Sequence, residues 1–192
     1  MQFMKTLFLI VACTFSLTTF AQNVEIPDAN FKAYLVNNLL INTNADTEIQ
    51  VSEAVIFTGD IDCSNLGISD LTGIEAFTVL TFLDCTGNQL TTLDLSQNTE
   101  LFYCRCAQNQ LTCLNAKNGN NINFPFLFTS VNPDLTCIEV DNVEWSEINW
   151  TDIGLAHYFS ENCNNPCSMI VSIKELSNIP KKMIKILDLM GR

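Results

Sequence analysis

A repeat between Leu80 and Leu114 constrains the fold of this chain more than any other sequence feature. Six pairs of residues match when the stretch is aligned with itself at a shift of 21 positions: Leu80 and Leu101, Leu83 and Cys104, Cys85 and Cys106, Asn88 and Asn109, Leu90 and Leu111, and Leu93 and Leu114. The pattern is L-x-x-L-x-L-x-x-N-x-L with cysteine at some leucine positions, which is typical of leucine-rich repeats. One unit cannot bury its apolar edge alone, so the units must stack into a solenoid with a continuous core.

Five turns of this solenoid are predicted from the pattern. Their strand triplets are Ile61-Asp62-Cys63, Leu83-Asp84-Cys85, Cys104-Arg105-Cys106, Phe126-Leu127-Phe128 and Ile138-Glu139-Val140. Asn88 and Asn109 are expected to hydrogen-bond the turning backbone, which otherwise leaves buried polar groups unpaired. In the fourth turn, the equivalent asparagine falls around Val131 and Asn132. The predicted fold class is a short, right-handed α/β leucine-rich repeat solenoid with a period of about 21–22 residues.

The ends of a solenoid need caps, and the sequence supplies a candidate for each. Pro27 and Asp28 are helix-start residues, and an apolar stripe at helical spacing follows them: Phe31, Tyr34, Leu35 and Leu39. The predicted organisation is a signal peptide at 1–21, a cap helix and loop at 22–60, repeats at 61–132, a C-terminal cap at 133–163 and a linker with a basic, apolar tail at 164–192.

The N-terminus predicts export. Lys5 precedes the apolar run 7–20, and Ala21 supplies a small residue for cleavage, as in a secretory signal peptide. A lipoprotein anchored at Cys13 is the alternative, because Ile10 to Cys13 resemble a lipobox, but the residues after Cys13 stay apolar. No other segment reaches the roughly 18 apolar residues that a transmembrane helix needs. We therefore expect a secreted or outer-surface protein that passes through the periplasm.

The charge of the chain argues against nucleic acid as a partner. Its formal net charge is −12, with 21 acidic and nine basic residues. A nucleic-acid-binding protein presents a basic face to the phosphates, so a protein or a glycan is the expected partner. We expect the chain to be a monomer.

Residues 42–53 resemble a calcium-binding loop. Asn42, Asn44 and Asp46 fall at loop positions 1, 3 and 5, and Glu53 falls at position 12. In an EF-hand these positions supply oxygen ligands for Ca²⁺. Asn42 replaces the usual aspartate and Thr47 the usual glycine, so the alternative is a polar loop without metal. No other cofactor is predicted.

Nine cysteines require an explanation. Four of them occupy positions that the pattern reserves for buried leucine: Cys63, Cys85, Cys104 and Cys106. Cys104 and Cys106 suggest a zinc site by their spacing, but tetrahedral zinc needs four converging ligands, whereas stacked repeat positions point side by side into an apolar core. We therefore interpret these cysteines as small core residues. Cys113 and Cys167 have no predicted partner.

The chain resembles the secreted bacterial leucine-rich repeat proteins exported by the type IX secretion system. The matching stretches are IPDANFKAYLV, DTEIQVSEA, GISDLTGIEAFT, LTTLDLSQNTEL, NPDLTCIEVD and the NWTDI…FSENC end, and KKMIKILDLMGR resembles the start of the C-terminal sorting signal. The resemblance implies a secreted or surface-displayed binding module without catalytic activity. It also implies a disulfide between Cys137 and Cys163, which would lock the C-terminal cap.

Geometry predicts where a partner would bind. Strand side chains alternate, so residues that flank the buried ones point onto the concave face. The outward columns are Asp60, Phe82 and Tyr103; Asp62, Asp84, Arg105, Leu127 and Glu139; and Ser64, Thr86 and Ala107. The residues predicted to contact a protein partner are Phe82, Asp84, Tyr103, Arg105, Asp62 and Glu139. A face that is only solvated is the alternative.

Three other functions are alternatives to protein binding. The first is a calcium-dependent or glycan-binding surface adhesin. The second is a surface hydrolase, which is disfavoured because His157 has no serine or cysteine nucleophile in a recognisable setting. The third is a structural spacer.

Overall fold

The computed structural model describes residues 22–154, 157–163 and Cys167. The predicted signal peptide at 1–21 and the tail at 164–192, apart from Cys167, lie outside the described residues. No helix in these ranges combines the length and the apolar character needed to cross a bilayer.

A parallel sheet forms one side of the described domain. Its strands are β1 (Asp60–Asp62), β2 (Phe82–Asp84), β4 (Tyr103–Arg105) and β6 (Phe126–Phe128), paired in that order. The central residues Ile61, Leu83, Cys104 and Leu127 are in register and buried. The stacked, parallel arrangement is that of a leucine-rich repeat solenoid, as the 21-residue period predicts.

The return segments form a second parallel sheet. Its strands are β3 (Thr92–Asp94), β5 (Cys113–Asn115), β7 (Cys137–Glu139) and β8 (Tyr158–Ser160). Leu93, Leu114, Ile138 and Phe159 point inward from these strands and meet the first sheet in one apolar core. Single 3-10 turns occur at Ile74–Ala76 and Asn121–Asn123. Each middle turn therefore contains two strands, one more than the pattern predicted.

The fourth and fifth predicted turns were placed wrongly. In the fourth turn the structure aligns Leu127 with Cys104, so Leu127 is buried and Phe126 and Phe128 face outward. The spacing between equivalent strand residues lengthens from Tyr103 to Phe126, which shifts the register by one residue. The predicted fifth turn belongs to the second sheet, where Glu139 pairs with Asn115.

Buried asparagines close the turns of the first sheet. The Asn109 side-chain amide donates to the carbonyl oxygens of Cys85, Cys106 and Ala107, and its Oδ1 accepts from the Leu90 N–H. Asn88 and Asn132 make equivalent bonds one turn before and one turn after. The prediction for Asn88 and Asn109 is confirmed, and Asn132 is the fourth-turn residue.

A short helix covers the N-terminal end of the solenoid. Helix α1 (Ala29–Asn37) starts at Asp28, whose Oδ1 accepts the N–H groups of Asn30 and Phe31. Phe31 and Leu35 are fully buried, as the apolar stripe predicts. Leu39, also assigned to that stripe, lies beyond the helix end and is 68% exposed. Helix α2 (Val51–Ala54) begins within the predicted calcium loop, whose last residue is Glu53.

Tyr34 and Asp28 tie this cap to the first turn. The Tyr34 hydroxyl accepts a 3.0 Å hydrogen bond from the N–H of Asp62 on the edge strand β1. Asp28 Oδ2 accepts from both the N–H and the hydroxyl of Ser69. The cap therefore satisfies an edge group that would otherwise be open to pairing with another chain.

The opposite end is closed by aromatic residues. After helix α3 (Val143–Asn149), the buried Trp150 donates from Nε1 to the Phe124 carbonyl at 2.6 Å, and its ring packs edge-on against Phe124 and Trp145. The N–H of Thr129, just after β6, donates to the carbonyl of Asp152.

Two disulfides lie across the second sheet. Cys137 is bonded to Cys163, the pair that the family resemblance implied, with Cα atoms 5.8 Å apart. Cys113 is bonded to Cys167, with Cα atoms 5.7 Å apart. Because Cys113 and Cys137 belong to the adjacent strands β5 and β7, the two bonds hold Cys163 and Cys167 over neighbouring strands.

Candidate binding face

An aromatic cluster covers the outer side of the first sheet. The rings of Phe82 and Tyr103 are stacked, with centroids 4.6 Å apart and planes 9° from parallel. The Tyr103 ring centroid is also 6.0 Å from that of Phe126 and 5.3 Å from that of Phe128. Phe126 and Phe102 pack edge-on, with ring centroids 5.2 Å apart. Phe102 is 51% exposed and Phe126 is 43% exposed. We call these five residues the aromatic face.

Arg105 lies over one end of the aromatic face. Its guanidinium carbon is 5.9 Å from the Tyr103 ring centroid and 5.5 Å from the Phe128 centroid, which is cation–π geometry. Its Nη1 is 3.8 Å from Asp84 Oδ2. Asp84 also accepts the N–H of Thr86 and is 9% exposed, so its carboxylate is less available to a partner than predicted.

A polar depression of about 390 Å³ adjoins this end. Arg105, Asp84, Phe128 and Asp152 are among its lining residues. The depression therefore continues the aromatic face towards the C-terminal closure of the solenoid.

Acidic residues border the other end of the aromatic face. Asp60 and Asp62 flank the buried Ile61 on β1, and both are exposed. Asp60 is in register with Phe82, and Asp62 is in register with Asp84. Burial raises the pKa of Tyr34, and the charges of Asp62 and Asp60 raise it further, which reflects the negative potential at this end.

Five of the six residues predicted to bind a partner share this face. The structure brings together Phe82, Tyr103, Arg105, Asp62 and Asp84. Glu139 lies on the second sheet, because the segment 135–140 repeats the spacing of 90–95 and 111–116, which are return segments. The shared pattern L-T-x-[LI] would have revealed this assignment.

Sequence reasoning missed Phe126 and Phe128. Asn88 follows Leu83 by five positions, and Asn109 follows Cys104 by five. Counting back five from Asn132 gives Leu127 as the buried residue and turns both phenylalanines outward. Phe102 was missed because it precedes strand β4, outside the predicted triplets.

The predicted calcium-loop residues lie close together and bond to one another. Glu53 Oε1 accepts from the N–H and hydroxyl of Thr43 and from the N–H of Asn44, and its Oε2 accepts the N–H of Gln50. Asp46 accepts from Glu48, Asn44 and Gln50.

The acceptor bonds lower the pKa of two carboxyls in this loop. Burial alone raises the pKa of Glu53, but its hydrogen bonds outweigh that effect and hold the pKa below its usual value. Hydrogen bonding, led by the Glu48 N–H, likewise lowers the pKa of Asp46. Asn42 Oδ1 is buried without a hydrogen-bond donor in the described ranges. Calcium binding by Asn42, Asn44, Asp46 and Glu53 stays a prediction.

The free cysteines occupy the core, as interpreted from the repeat. Cys63, Cys85, Cys104 and Cys106 are unpaired thiols with no measurable exposure. Burial, with the nearby charges of Asp62 and Asp84, raises the pKa of Cys63 to about 12. Burial also raises the pKa of Cys85. No group of three or more His, Cys, Asp or Glu side chains in the described ranges is arranged to hold a metal ion.

His157 joins the C-terminal segment to the fourth turn. Its Nδ1 lies 3.1 Å from Thr129 Oγ1, and its Nε2 lies 3.3 Å from the Asn132 carbonyl. A carbonyl oxygen only accepts, so Nε2 carries the proton. These contacts assign the ring a structural role.

The described domain is thus a leucine-rich repeat solenoid with an aromatic outer face, and comparisons with known proteins point the same way. No protein-family model matches the chain. Internalin J of Listeria monocytogenes serotype 4b is 43% identical to it over 77 residues, which are 40% of this chain and 8% of internalin J.

Two solved structures share the fold. The functional domain of InlJ from Listeria monocytogenes, which includes a cysteine ladder, has a TM-score of 0.50 and 32% identity, over 72% of this chain and 29% of that chain. The internalin InlF from the same organism has a TM-score of 0.51 and 17% identity, over 74% of this chain and 48% of that chain. At this identity the similarity shows the fold alone. The chain spans less than half the length of each of these relatives.

Proposed function

We propose that this chain is a secreted or surface-displayed leucine-rich repeat module that binds a protein partner through the outer, concave face of its first sheet. The similarity to internalins supports a surface interaction module. Export through the type IX system, a right-handed coil and a monomeric state are parts of the same proposal.

The observation that carries the proposal is the continuity of the aromatic face. Five rings from three successive turns form one chain of contacts, and two of them are more than 40% exposed. Exposed aromatic side chains and arginine dominate the binding energy of protein interfaces. Phe82 and Tyr103 stack on each other, so each ring covers one face of the other and the pair is held in a fixed orientation.

Capture of surface proteins by cross-linking tests this proposal. The wild-type chain would be compared with the double variant Phe82→Ala/Tyr103→Ala and with the control Ile148→Ala, whose side chain is 75% exposed on α3. Specific partners, identified by mass spectrometry, should be lost with the double variant and kept with the control. Equal recovery by all three proteins would refute binding through this face.

A calcium-dependent adhesin is the second candidate. The buried, donor-free Asn42 Oδ1 favours it, because a cation would satisfy this oxygen. The carboxylates of Asp46 and Glu53 would have to exchange some of their present hydrogen bonds for the ion. Calorimetry with Ca²⁺ on the wild type and Asp46→Ala tests the site, and the absence of both heat and a Tm shift would remove this candidate.

A further inference from the structure

The two ends of the aromatic face differ in one component. At the β4 end, an arginine, two rings and a carboxylate form a complete cluster, with Arg105 over Tyr103 and Phe128 and its Nη1 3.8 Å from Asp84. At this end, the Arg105 guanidinium therefore both covers the two rings and forms an ion pair with the carboxylate.

The β1 end has the ring and the carboxylates without the cation. Tyr103 covers one face of Phe82, and adjacent parallel strands are about 4.8 Å apart, so the other face of the ring looks towards β1. The residue in register there is Asp60, whose short side chain cannot cover a ring. The described residues place no second aromatic ring against Phe82.

The carboxylates at this end have acceptor capacity to spare. The Asp60 carboxylate is exposed and makes no hydrogen bond or ion pair with the described residues. Asp62 Oδ1 accepts from the N–H and hydroxyl of Ser64, while Oδ2 has no partner in the same ranges.

The basic residues of the domain are committed elsewhere. Within the described ranges, the Lys and Arg residues are Lys32, Arg105 and Lys117. Lys32 pairs with Glu48, Arg105 with Asp84, and Lys117 donates to the Glu161 carbonyl. None of them reaches Asp60.

We propose that Phe82, Asp60 and Asp62 form a receptor for an arginine side chain of the protein partner. The guanidinium would lie over the free face of Phe82 and form ion pairs with the two carboxylates, as Arg105 lies over Tyr103 and Phe128 and forms an ion pair with Asp84. Arginine fits better than lysine, because its planar group both stacks on a ring and bonds in a fork to carboxylate. This inference rests on the proposed function and specifies the partner's chemistry.

Titration with a short peptide, followed by NMR, tests the receptor directly. The probe is acetyl-Gly-Arg-Gly-amide, and the uncharged control is the same peptide with citrulline. We expect saturable shifts at the Phe82 ring and the Asp60 amide with the arginine peptide only. Asp60→Asn or Phe82→Leu should each weaken binding by about two- to fivefold, the range of one exposed ion pair or one exposed cation–π contact.

Asp134→Asn provides the matched control, because the substitution removes the same negative charge as Asp60→Asn. Asp134 is exposed and lies away from this face, in the segment before β7. The affinity of this variant for the arginine peptide should equal that of the wild type. Equal weakening by Asp60→Asn and Asp134→Asn would show attraction to net charge alone and would overturn the receptor. Identical shifts with the citrulline peptide would overturn it too, because the guanidinium charge would then be irrelevant to binding.

The receptor and the proposed function fail in different ways. If capture of surface proteins is lost with Phe82→Ala/Tyr103→Ala but unaffected by Asp60→Asn/Asp62→Asn, the face binds a partner and the arginine receptor is wrong. If capture survives both double variants, the proposed function is wrong as well.

Discussion

At the scale of single residues, one side chain occupies a backbone position that disfavours it. Equivalent turn positions in the first sheet hold Asn65, Gly87, Gln108 and Val131, and all four have positive φ. Glycine and asparagine tolerate this left-handed region, whereas a β-branched residue there is strained. Val131, with φ of 59°, is 65% exposed and gains little from burial.

Replacing Val131 should therefore stabilise the protein. We expect Val131→Asn to raise the free energy of unfolding by about 1 kcal/mol, since it relieves strain at a position where asparagine is tolerated. Urea unfolding measures the change. Ile122→Asn is the control, because Ile122 is 66% exposed but outside the positive-φ set. If both variants raised the free energy of unfolding equally, the cause would be the removal of an exposed apolar side chain and not the relief of backbone strain.

At the scale of elements, buried asparagines hold successive turns together in addition to strand pairing. Each strand contributes three residues, which is too short for stability without support. Asn109 alone satisfies three carbonyl oxygens and one N–H from two turns. The three carbonyls each accept from a second donor as well, whereas Asn109 Oδ1 is the acceptor for the buried Leu90 N–H.

Asn109→Ala should destabilise the domain strongly. Its removal leaves the buried Leu90 N–H unpaired and takes one of two hydrogen bonds from each of three carbonyls, and we expect a loss of about 2–3 kcal/mol in the free energy of unfolding. Asn123→Ala serves as the comparison, because Asn123 is exposed and its side-chain amide donates to the side chain of the half-buried Asn120. A loss below that of Asn123→Ala would contradict the role assigned to Asn109.

The N-terminal cap should make the domain sensitive to acid. Burial alone raises the pKa of Asp28, but hydrogen bonds from Ser69, Phe31 and Asn30 bring it below the ordinary value. A carboxyl whose pKa is lowered by folding stabilises the fold above its unfolded pKa, and this contribution disappears as pH falls through the folded pKa. The loss therefore occurs below about pH 4.

Thermal unfolding at several pH values checks this expectation. Asp28→Ala should lower Tm at pH 7 and flatten the fall of Tm below about pH 4, because the variant has no carboxylate to protonate. Asp134→Ala, which removes an exposed acid, should leave the curve unchanged. Parallel curves for wild type and Asp28→Ala would contradict the assignment.

The sequence was sufficient to predict most of the first sheet and its cap. The 21-residue period identifies Ile61, Leu83 and Cys104 as buried, and it turns Phe82, Tyr103 and Arg105 outward. It failed at Leu127 because the last step is longer, and a change of one residue reverses which side chains face the core. It could not pair Cys113 with Cys167, because the pairing depends on which strands become neighbours.

At the scale of the whole molecule, the two sheets divide the tasks. The first sheet displays the aromatic face. The second sheet carries both disulfides, which bond Cys163 to strand β7 and Cys167 to strand β5. Cys167 Sγ lies 3.9 Å from the Leu93 carbonyl, so the chain leaves the described domain beside β3, on the sheet that does not carry the aromatic face. Any attachment beyond Cys167 would therefore start from the other sheet.

The connectivity also predicts a mechanical response. Cys113 and Cys167 close a loop of 54 residues, with the Cys137–Cys163 bond nested inside it. In single-molecule stretching, the oxidised protein should release only residues outside this loop. Full reduction should add about 190 Å of contour length, from 54 residues at about 3.6 Å each. Cys113→Ser/Cys167→Ser should show a longer extension without reductant, and equal lengths would refute the bond.

A stretching force applied to the two ends of the chain would thus not be transmitted through the C-terminal third of the domain. Tension arriving at Cys167 passes through sulfur directly into β5, so the segment with α3, Trp150 and His157 bears no force while the bond is intact. The part of the chain that extends first would be the one before Cys113, which includes β1, β2 and Phe82. On a surface under flow, partner release and extension of the module would then be the same event.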